Sequence, residues 1–525
     1  VIDILKDIGI VIGETTSTEF VFVADEEVTK WEYVSVKSTE KVDGNDVEVD
    51  VLGQIHTVCS QSMALREGID LTSAGKIIEA GLVDRKIFAK TRILGFIHKG
   101  EVYQPRRAIQ PGKKVYIASE KILKDFYSGI GEEGLYIGQL ITRDKIPIYL
   151  DVNGFRRHLA ILAQTGAGKS YTTGVLIEEL LKKGATIIVI DPHADYVFMS
   201  RKKNGGRVDG IDIYRTRDSI GRYAKEEIGR VSTYEVKFSD LSADEIMTIC
   251  GISERMVKIK TSIENAIKSM PDSYDLNDLI DMLERDMTDK LNKDGNPSGA
   301  LRYIRGLKRL KVFGPATTDV DKFLKPKHLS VLDLSGLDDR ISNYAVYRVL
   351  SEVYDKLTSR KYKYPVFLII EEAHRFIPAE GKTLSRDIIK KIAAEGRKFG
   401  VFLTLITQRP SKIDPDVLSQ CNSQIIMRVT NPEDQSAIRT SSERISESLL
   451  NDLPGLNVGE AVIVGHLVKT PIMVRIRERE TEEGGGDIDI VSLLKEALDD
   501  AEIKSKNRIK DIRNEIDGYR KMMEI

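Results

Sequence analysis

The chain has 525 residues, 41% hydrophobic and 30% charged, with 79 basic and 81 acidic side chains and a net charge of −2. That length implies several domains, and near-neutrality excludes a chain-wide basic surface, so any nucleic-acid contact must be a local patch. Three widely spaced cysteines without a metal or disulfide pattern, no apolar run near the roughly 20 residues of a membrane helix, and no signal-peptide pattern give the expectation of a cytoplasmic protein without a membrane partner.

Residues 1–120 carry short β-rich runs at 20–24, 33–36, 47–51, 91–97 and 114–118, with a further run at 53–58. Glycine-bearing turns such as Asp43-Gly44 and Gly112-Lys113 separate them. This spacing predicts a small β-barrel. It holds no catalytic constellation, and reads either as an assembly or docking module or as a DNA-reading barrel. Residues 121–240 open a second region. Runs at 135–141 and 146–150 read as strands, Asn153-Gly154 as a turn, and Arg156, Arg157 and His158 precede a short apolar strand at 159–162.

Residues 163–170 read AQTGAGKS, and helical spacing over 170–183 follows until Gly184. Strand, glycine loop and helix form the context of a phosphate-binding loop. Backbone N–H groups of Thr165, Gly166, Ala167, Gly168 and Lys169 would cradle the phosphates of ATP, with Ser170 and Tyr171 opening a helix whose N-terminus adds partial positive charge. Lys169 would reach the β- and γ-phosphates, and the Ser170 hydroxyl would hold Mg2+. Ala163 stands where the usual pattern has glycine. The next strand, 185–190, ends in DPHADY, where α/β sheets bind ligands. Asp191 or His193 there either contacts water, magnesium or γ-phosphate, or only caps a turn. The basic run Arg201, Lys202, Lys203 is either a DNA contact or a solvated loop.

Residues 241–325 read as a helical insertion. Ser242 and Glu245 make a capping box, and helices are expected near 256–267, 275–287 and 299–311. The last sets Leu301, Ile304, Leu307 and Leu310 against Arg302, Arg305, Lys308, Arg309 and Lys311, a face for DNA or for solvent. The α/β pattern returns over 326–480 with a strand at 331–334 and a helix at 343–359. A fully apolar strand, 366–370, then runs into Glu371-Glu372-Ala373-His374. An apolar strand ending in two acids is a Walker B pattern: Glu371 would join the magnesium shell, and Glu372 would polarise the attacking water. A helix over 385–398 ends at Arg397, which either acts as an arginine finger on a neighbouring subunit or answers the helix dipole. The strand 401–407 ends at Gln408, a γ-phosphate sensor or an ordinary strand-end residue. Runs at 424–429 and 461–464 continue the sheet, with 472–476 as a hairpin partner. Residues 481–525 are an acidic glycine hinge at 482–486 and a charged helical tail.

In order and spacing, AQTGAGKS, DPHADY, LIIEEAHRF, AAEGRKFGVFLTLITQRPS and GEAVIVG resemble HerA, the archaeal hexameric DNA translocase and helicase of the FtsK–HerA group of P-loop ATPases. The resemblance implies an α/β RecA-like P-loop ATPase core with an N-terminal small β-barrel and a helical insertion. It implies a homohexameric ring that pumps double-stranded DNA, with a NurA-type nuclease as partner in end resection for break repair. Lys169 and Ser170 match the Walker A pair, Glu372 the catalytic acid, Arg397 the trans-acting arginine and Arg157 a further interface arginine. In such a ring Lys382 and Arg386, within 376–386, and Arg201, Lys202 and Lys203 are candidate pore contacts. Their binding should be salt-sensitive and sequence-tolerant. The alternatives are a secretion or conjugation-type motor and a nucleotide-switched assembly scaffold; a pure scaffold has no need of Glu372.

Overall fold

The computed structural model describes residues 6–127, 131–217, 219, 221–288, 295–309, 312–486 and 489–523. Leu310 and Lys311 of the expected third insertion helix, Ile488 and the last two residues of the expected tail lie outside them. The chain divides into two units, Val1–Glu483 and Gly484–Ile525.

The first unit opens with β1 (Asp7–Ile12), β2 (Glu19–Ala24), β3 (Tyr33–Val42), β4 (Asn45–Ser62), β5 (Arg85–His98), β6 (Glu101–Tyr103) and β7 (Lys114–Ile117). Their order is β2-β1-β7-β3-β4-β5-β6, and a β2–β5 pairing closes six of them into a barrel with β6 as a hairpin on β5. Closure removes the exposed edges that a flat sheet would leave. Period-2 alternation drives the packing: Phe20, Phe22 and Ala24 of β2 point inward onto Ile8, Val34, Val51 and Val115. Strands β1 and β6 fall outside the expected runs. A bulge between Leu52 and Gly53 keeps in one strand, β4, the two runs that the sequence separates.

The core follows with β8 (Leu135–Leu140), β9 (Arg143–Leu150), β10 (Leu159–Leu162), β11 (Thr186–Asp191), β12 (Ile211–Thr216), β13 (Val231–Tyr234), β14 (Val236–Lys237), β15 (Phe313–Gly314), β16 (His328–Asp333), β17 (Val366–Ile370), β18 (Val401–Thr407), β19 (Ser423–Ile426), β20 (Glu460–Val464) and β21 (Ile472–Ile476). Twelve of these form one sheet in the order β13-β12-β16-β11-β17-β18-β10-β19-β20-β21-β8-β9. Strands β13 to β19 in that order are parallel, and the rest are antiparallel. Every residue of β10, β11 and β17 is buried, which is why these strands read as unbroken apolar runs. This is a RecA-like P-loop ATPase core, and the carboxyl ends of its parallel strands define the edge where a ligand binds.

The helical insertion lies between β14 and β15, which pair in parallel at its base. It holds Ala243–Ile249, Val257–Lys268, Leu276–Thr288 and Pro297–Ile304. The capping box forms: Ser242 Oγ accepts the Glu245 N–H at 3.2 Å, and Glu245 Oε2 accepts the Ser242 N–H at 2.9 Å. The helix expected over 299–311 is corrected. It begins at Pro297, capped by Asn296, and tightens into a 3-10 turn over Arg305–Arg309, where Gly306 weakens the α-helix. Leu301, Ile304 and Leu307 are buried as expected. Barrel and core share a buried charge cluster. Arg92 of β5 lies 2.8 Å from Asp452, which also meets Lys30 at 2.8 Å, and Arg92 donates to Gln54 Oε1 at 2.8 Å. The second unit contains one helix, Ile490–Met523, with Val491, Leu494, Leu498, Ile509, Ile512 and Ile516 exposed. No helix among the described residues is long and apolar enough to cross a membrane.

Candidate nucleotide site

The phosphate loop links β10 to the helix Lys169–Lys182. Gly166 and Gly168 have φ of 75° and 99°, left-handed conformations that glycine adopts without steric cost. Ala163 is buried and is not left-handed, so its methyl group is accommodated; its N–H donates to Thr407 O at 3.3 Å. The helix N-terminus at Lys169 brings unpaired N–H groups to the loop.

Lys169 Nζ lies 2.6 Å from Glu372 Oε1 and 2.8 Å from Glu371 Oε1. Both acids sit at the carboxyl end of β17, and β18 runs between β17 and β10. Burial opposes the lysine charge, but the two carboxylates outweigh it and hold the ammonium above the usual lysine range. Burial, with repulsion from Asp195 and Glu372, pushes the Glu371 carboxyl up against the pull of Lys169. Tyr196 donates to Glu371 Oε2 at 2.9 Å. Glu371 Oε1, beside the Lys169 ammonium, and Glu372 Oε2, 3.2 Å from His374 Nδ1, are buried and lack an aligned hydrogen bond, so each keeps acceptor capacity for a cation shell or water. Ser170 Oγ donates to Asp195 Oδ2 at 2.6 Å. Gln408 Oε1 accepts the Thr165 hydroxyl, so the end of β18 touches the phosphate loop. No cluster of three or more His, Cys, Asp or Glu among the described residues could cage a metal. Magnesium, which is held by one or two protein groups together with substrate phosphates, would find the Ser170 hydroxyl and the Glu371 carboxylate here.

Asp191 caps the loop after β11. Its carboxylate accepts the N–H groups of His193, Asp195 and Tyr196 at 3.3, 3.0 and 2.9 Å, so it is buried in a turn, and His193 is exposed. The residue that reaches Ser170 is Asp195, which the sequence reading left without a role although it stands in the same motif. Tyr171 accepts the Arg479 N–H at 2.6 Å, and Arg479 packs on Gly174, where a Cβ would meet its Nε at 2.5 Å.

The family model described as helicase HerA, central domain, matches residues 135–353. The DNA double-strand break repair helicase HerA of Pyrococcus furiosus is 31% identical, over 89% of this chain and 92% of that protein. The chain belongs to the HerA family. The HerA of Saccharolobus solfataricus, also called a DNA double-strand break repair helicase, is 28% identical over 94% of this chain and 97% of its own. The solved structure of VirB4 from Thermoanaerobacter pseudethanolicus covers 66% of this chain and is itself 96% covered, at 16% identity and a TM-score of 0.47. The matched HerA central domain contains the phosphate loop and stops before Glu371 and Glu372, which the fold of this HerA-family chain brings to Lys169.

The remaining candidates of this HerA-family chain lie apart from that cluster. Arg397 stands in the 3-10 turn Gly396–Phe399, after a helix that ends at Glu395 rather than continuing to 398. A Cβ on Gly396 would meet Val401 O at 3.0 Å, a close approach that turns the chain there. The side chains of Arg397, Arg157 and Lys382 are exposed, without hydrogen bonds or ion pairs among the described residues. Between Arg157 and Arg397, His158 is buried; its Nδ1 accepts the Leu403 N–H and its Nε2 reaches Ala393 O, both at 3.0 Å. Arg386 pairs with Asp414 at 2.7 Å. Arg201, Lys202 and Lys203 face Glu482, Glu480 and Glu483 at 3.8, 3.9 and 3.6 Å. Thr407 and His374, which adjoin Glu372, were not singled out in the sequence.

Proposed function

We propose that the protein is an ATP-driven translocase on double-stranded DNA, working as a homohexameric ring beside a NurA-type nuclease in DNA-end resection. The observation that carries the ATPase part is the convergence of Lys169, Ser170, Glu371 and Glu372 at the carboxyl edge of one parallel sheet. DNA repair is supported by the HerA relatives, which are DNA double-strand break repair helicases, and the ring and the nuclease by likeness to that family. Backbone N–H groups of 165–169 bind the phosphates, and Lys169 turns from its two carboxylates to the β- and γ-phosphoryl oxygens. Ser170 and Glu371 would hold magnesium, which would supply charge neutralisation to the phosphates. Glu372, freed from Lys169, orients the attacking water and takes its proton. Gln408 reads the terminal phosphate. Arg397, exposed and without a hydrogen bond or ion pair among the described residues, serves the site of the next subunit, with Arg157 beside the same interface. The electrostatic stabilisation is then complete only on assembly. Lys382, exposed on its loop, contacts DNA phosphates; Arg386 and 201–203 do so after giving up their carboxylate partners.

A Glu372→Gln protein tests the reading. ATP binding should survive, while turnover should fall by about 100-fold or more. Unchanged turnover would refute Glu372 as the hydrolytic carboxylate, and ATP-dependent assembly without turnover in the wild type would favour a scaffold.

A further inference from the structure

We propose that His374 is a positioning residue for Glu372, tying the hydrolytic carboxylate to the strand end that touches the phosphate loop. The inference rests on the ATPase reading above. Glu372 has φ 48° and ψ 47°, a left-handed conformation that non-glycine residues rarely hold unless their surroundings impose it. The 3-10 turn Ala373–Arg375 follows, closed by the Arg375 N–H on Glu372 O at 2.9 Å and the Phe376 N–H on Ala373 O at 3.0 Å. This reversal brings the His374 ring back toward the sheet. Its Nδ1 lies 3.2 Å from Glu372 Oε2 and 3.0 Å from Thr407 Oγ1. Thr407 is the buried last residue of β18, and its Oγ1 also accepts the Arg409 N–H at 2.9 Å. The next residue, Gln408, accepts the Thr165 hydroxyl.

A physical path therefore runs from Thr165 through Gln408, Thr407 and His374 to Glu372, whose other oxygen meets Lys169 at 2.6 Å. A carboxylate only accepts, so a proton on Nδ1 is the tautomer that suits Glu372 Oε2; that one proton is aligned on Thr407 Oγ1 and lies beside Oε2, which favours the orientation with Oε1 toward Lys169. A shift of Gln408 by the contents of that loop moves Thr407 and, through the imidazole, the carboxylate. His374 touches no substrate in this scheme; it acts through Glu372.

The test compares wild type, Glu372→Gln, His374→Ala, His374→Asn, Thr407→Val and the His374→Ala/Thr407→Val pair. Each is measured for binding of a fluorescent ATP analogue, kcat, KM and Tm. His374→Ala should lower kcat at least about tenfold, since misplacement by about 1 Å can cost on the order of 100-fold. The KM for ATP should stay within about twofold, because ground-state binding is untouched. His374→Asn, which can present an N–H near the Nδ1 position, should recover part of the loss. The double variant should be no slower than His374→Ala, because one path is broken once. Wild-type kcat in His374→Ala would overturn the proposal. So would a loss confined to Tm and KM, or one that multiplies between the two substitutions. A protein in which Glu372→Gln abolishes turnover and His374→Ala does not refutes this inference alone; a wild type without turnover removes both readings.

Discussion

Replacing Lys169 by Met in the nucleotide-free protein probes the arrangement of the site directly. The ammonium lies between Glu371 and Glu372, both buried, at 2.8 and 2.6 Å. Removing one partner of a buried ion pair costs about 3–5 kcal/mol. Glu371 can relieve part of this by taking up a proton, since burial already pushes its carboxyl up, at about 1.4 kcal/mol per pH unit. A net loss of about 3 kcal/mol is expected near neutral pH, toward the lower end of that range. The sign of its pH dependence follows from the raised folded-state pKa. The folded variant binds a proton that the unfolded chain has released, so stability falls as pH rises through that pKa. The deficit of Lys169→Met should therefore widen as pH rises above the usual carboxylate range, and adding Glu372→Gln should narrow it. Denaturant unfolding followed by circular dichroism at several pH values measures both effects. A Lys169→Met protein as stable as wild type, or one with a pH-independent deficit, would refute the placement of the lysine between the two acids.

His158 sits neutral between Ala393 and Leu403, and burial followed by Arg397 lowers its pKa from 6.5 to about 4. Its contribution is present above pH 6.5 and lost as pH falls toward 4, a span worth about 3 kcal/mol at about 1.4 kcal/mol per unit. His158→Gln should flatten that part of the acid unfolding curve, as paired titrations of the two proteins would register. Arg397→Ala should leave folding and ATP binding intact, since its side chain is exposed, while turnover falls by about 1000-fold or more. Mixing it with Glu372→Gln subunits should restore some turnover; no recovery on mixing would count against a contribution across a subunit boundary.

The phosphate loop was legible because its chemistry is local: glycines at left-handed positions, then Lys169 and Ser170 at a helix start. Glu371 and Glu372 were legible because a strand buried on both faces is an unbroken apolar run, so the two acids mark its end. Asp195, His374 and Thr407 were not, because their roles are defined by what they meet across the sheet. Ser170 and Asp195 are 25 residues apart, and His374 and Thr407 are 33 apart. The same limit explains Asp191, whose carboxylate turns back on its own loop. In the barrel, alternation disclosed most strands; the helix Leu71–Glu79 groups Leu71, Ala74, Ile77 and Ile78 on one face but buries none of them, and it was not read from the sequence. Basic residues were visible as a run at 201–203; their acidic partners at 480–483 were visible only as a hinge.

The proposed motor couples ATP hydrolysis to DNA and assembles as a ring. Its most direct test is ATP hydrolysis by the purified protein with and without blunt duplex DNA, with the mass in solution determined by light scattering on the same sample. A six-subunit species whose turnover rises with duplex DNA is the predicted result. A monomer with DNA-independent turnover, or with none, would contradict it.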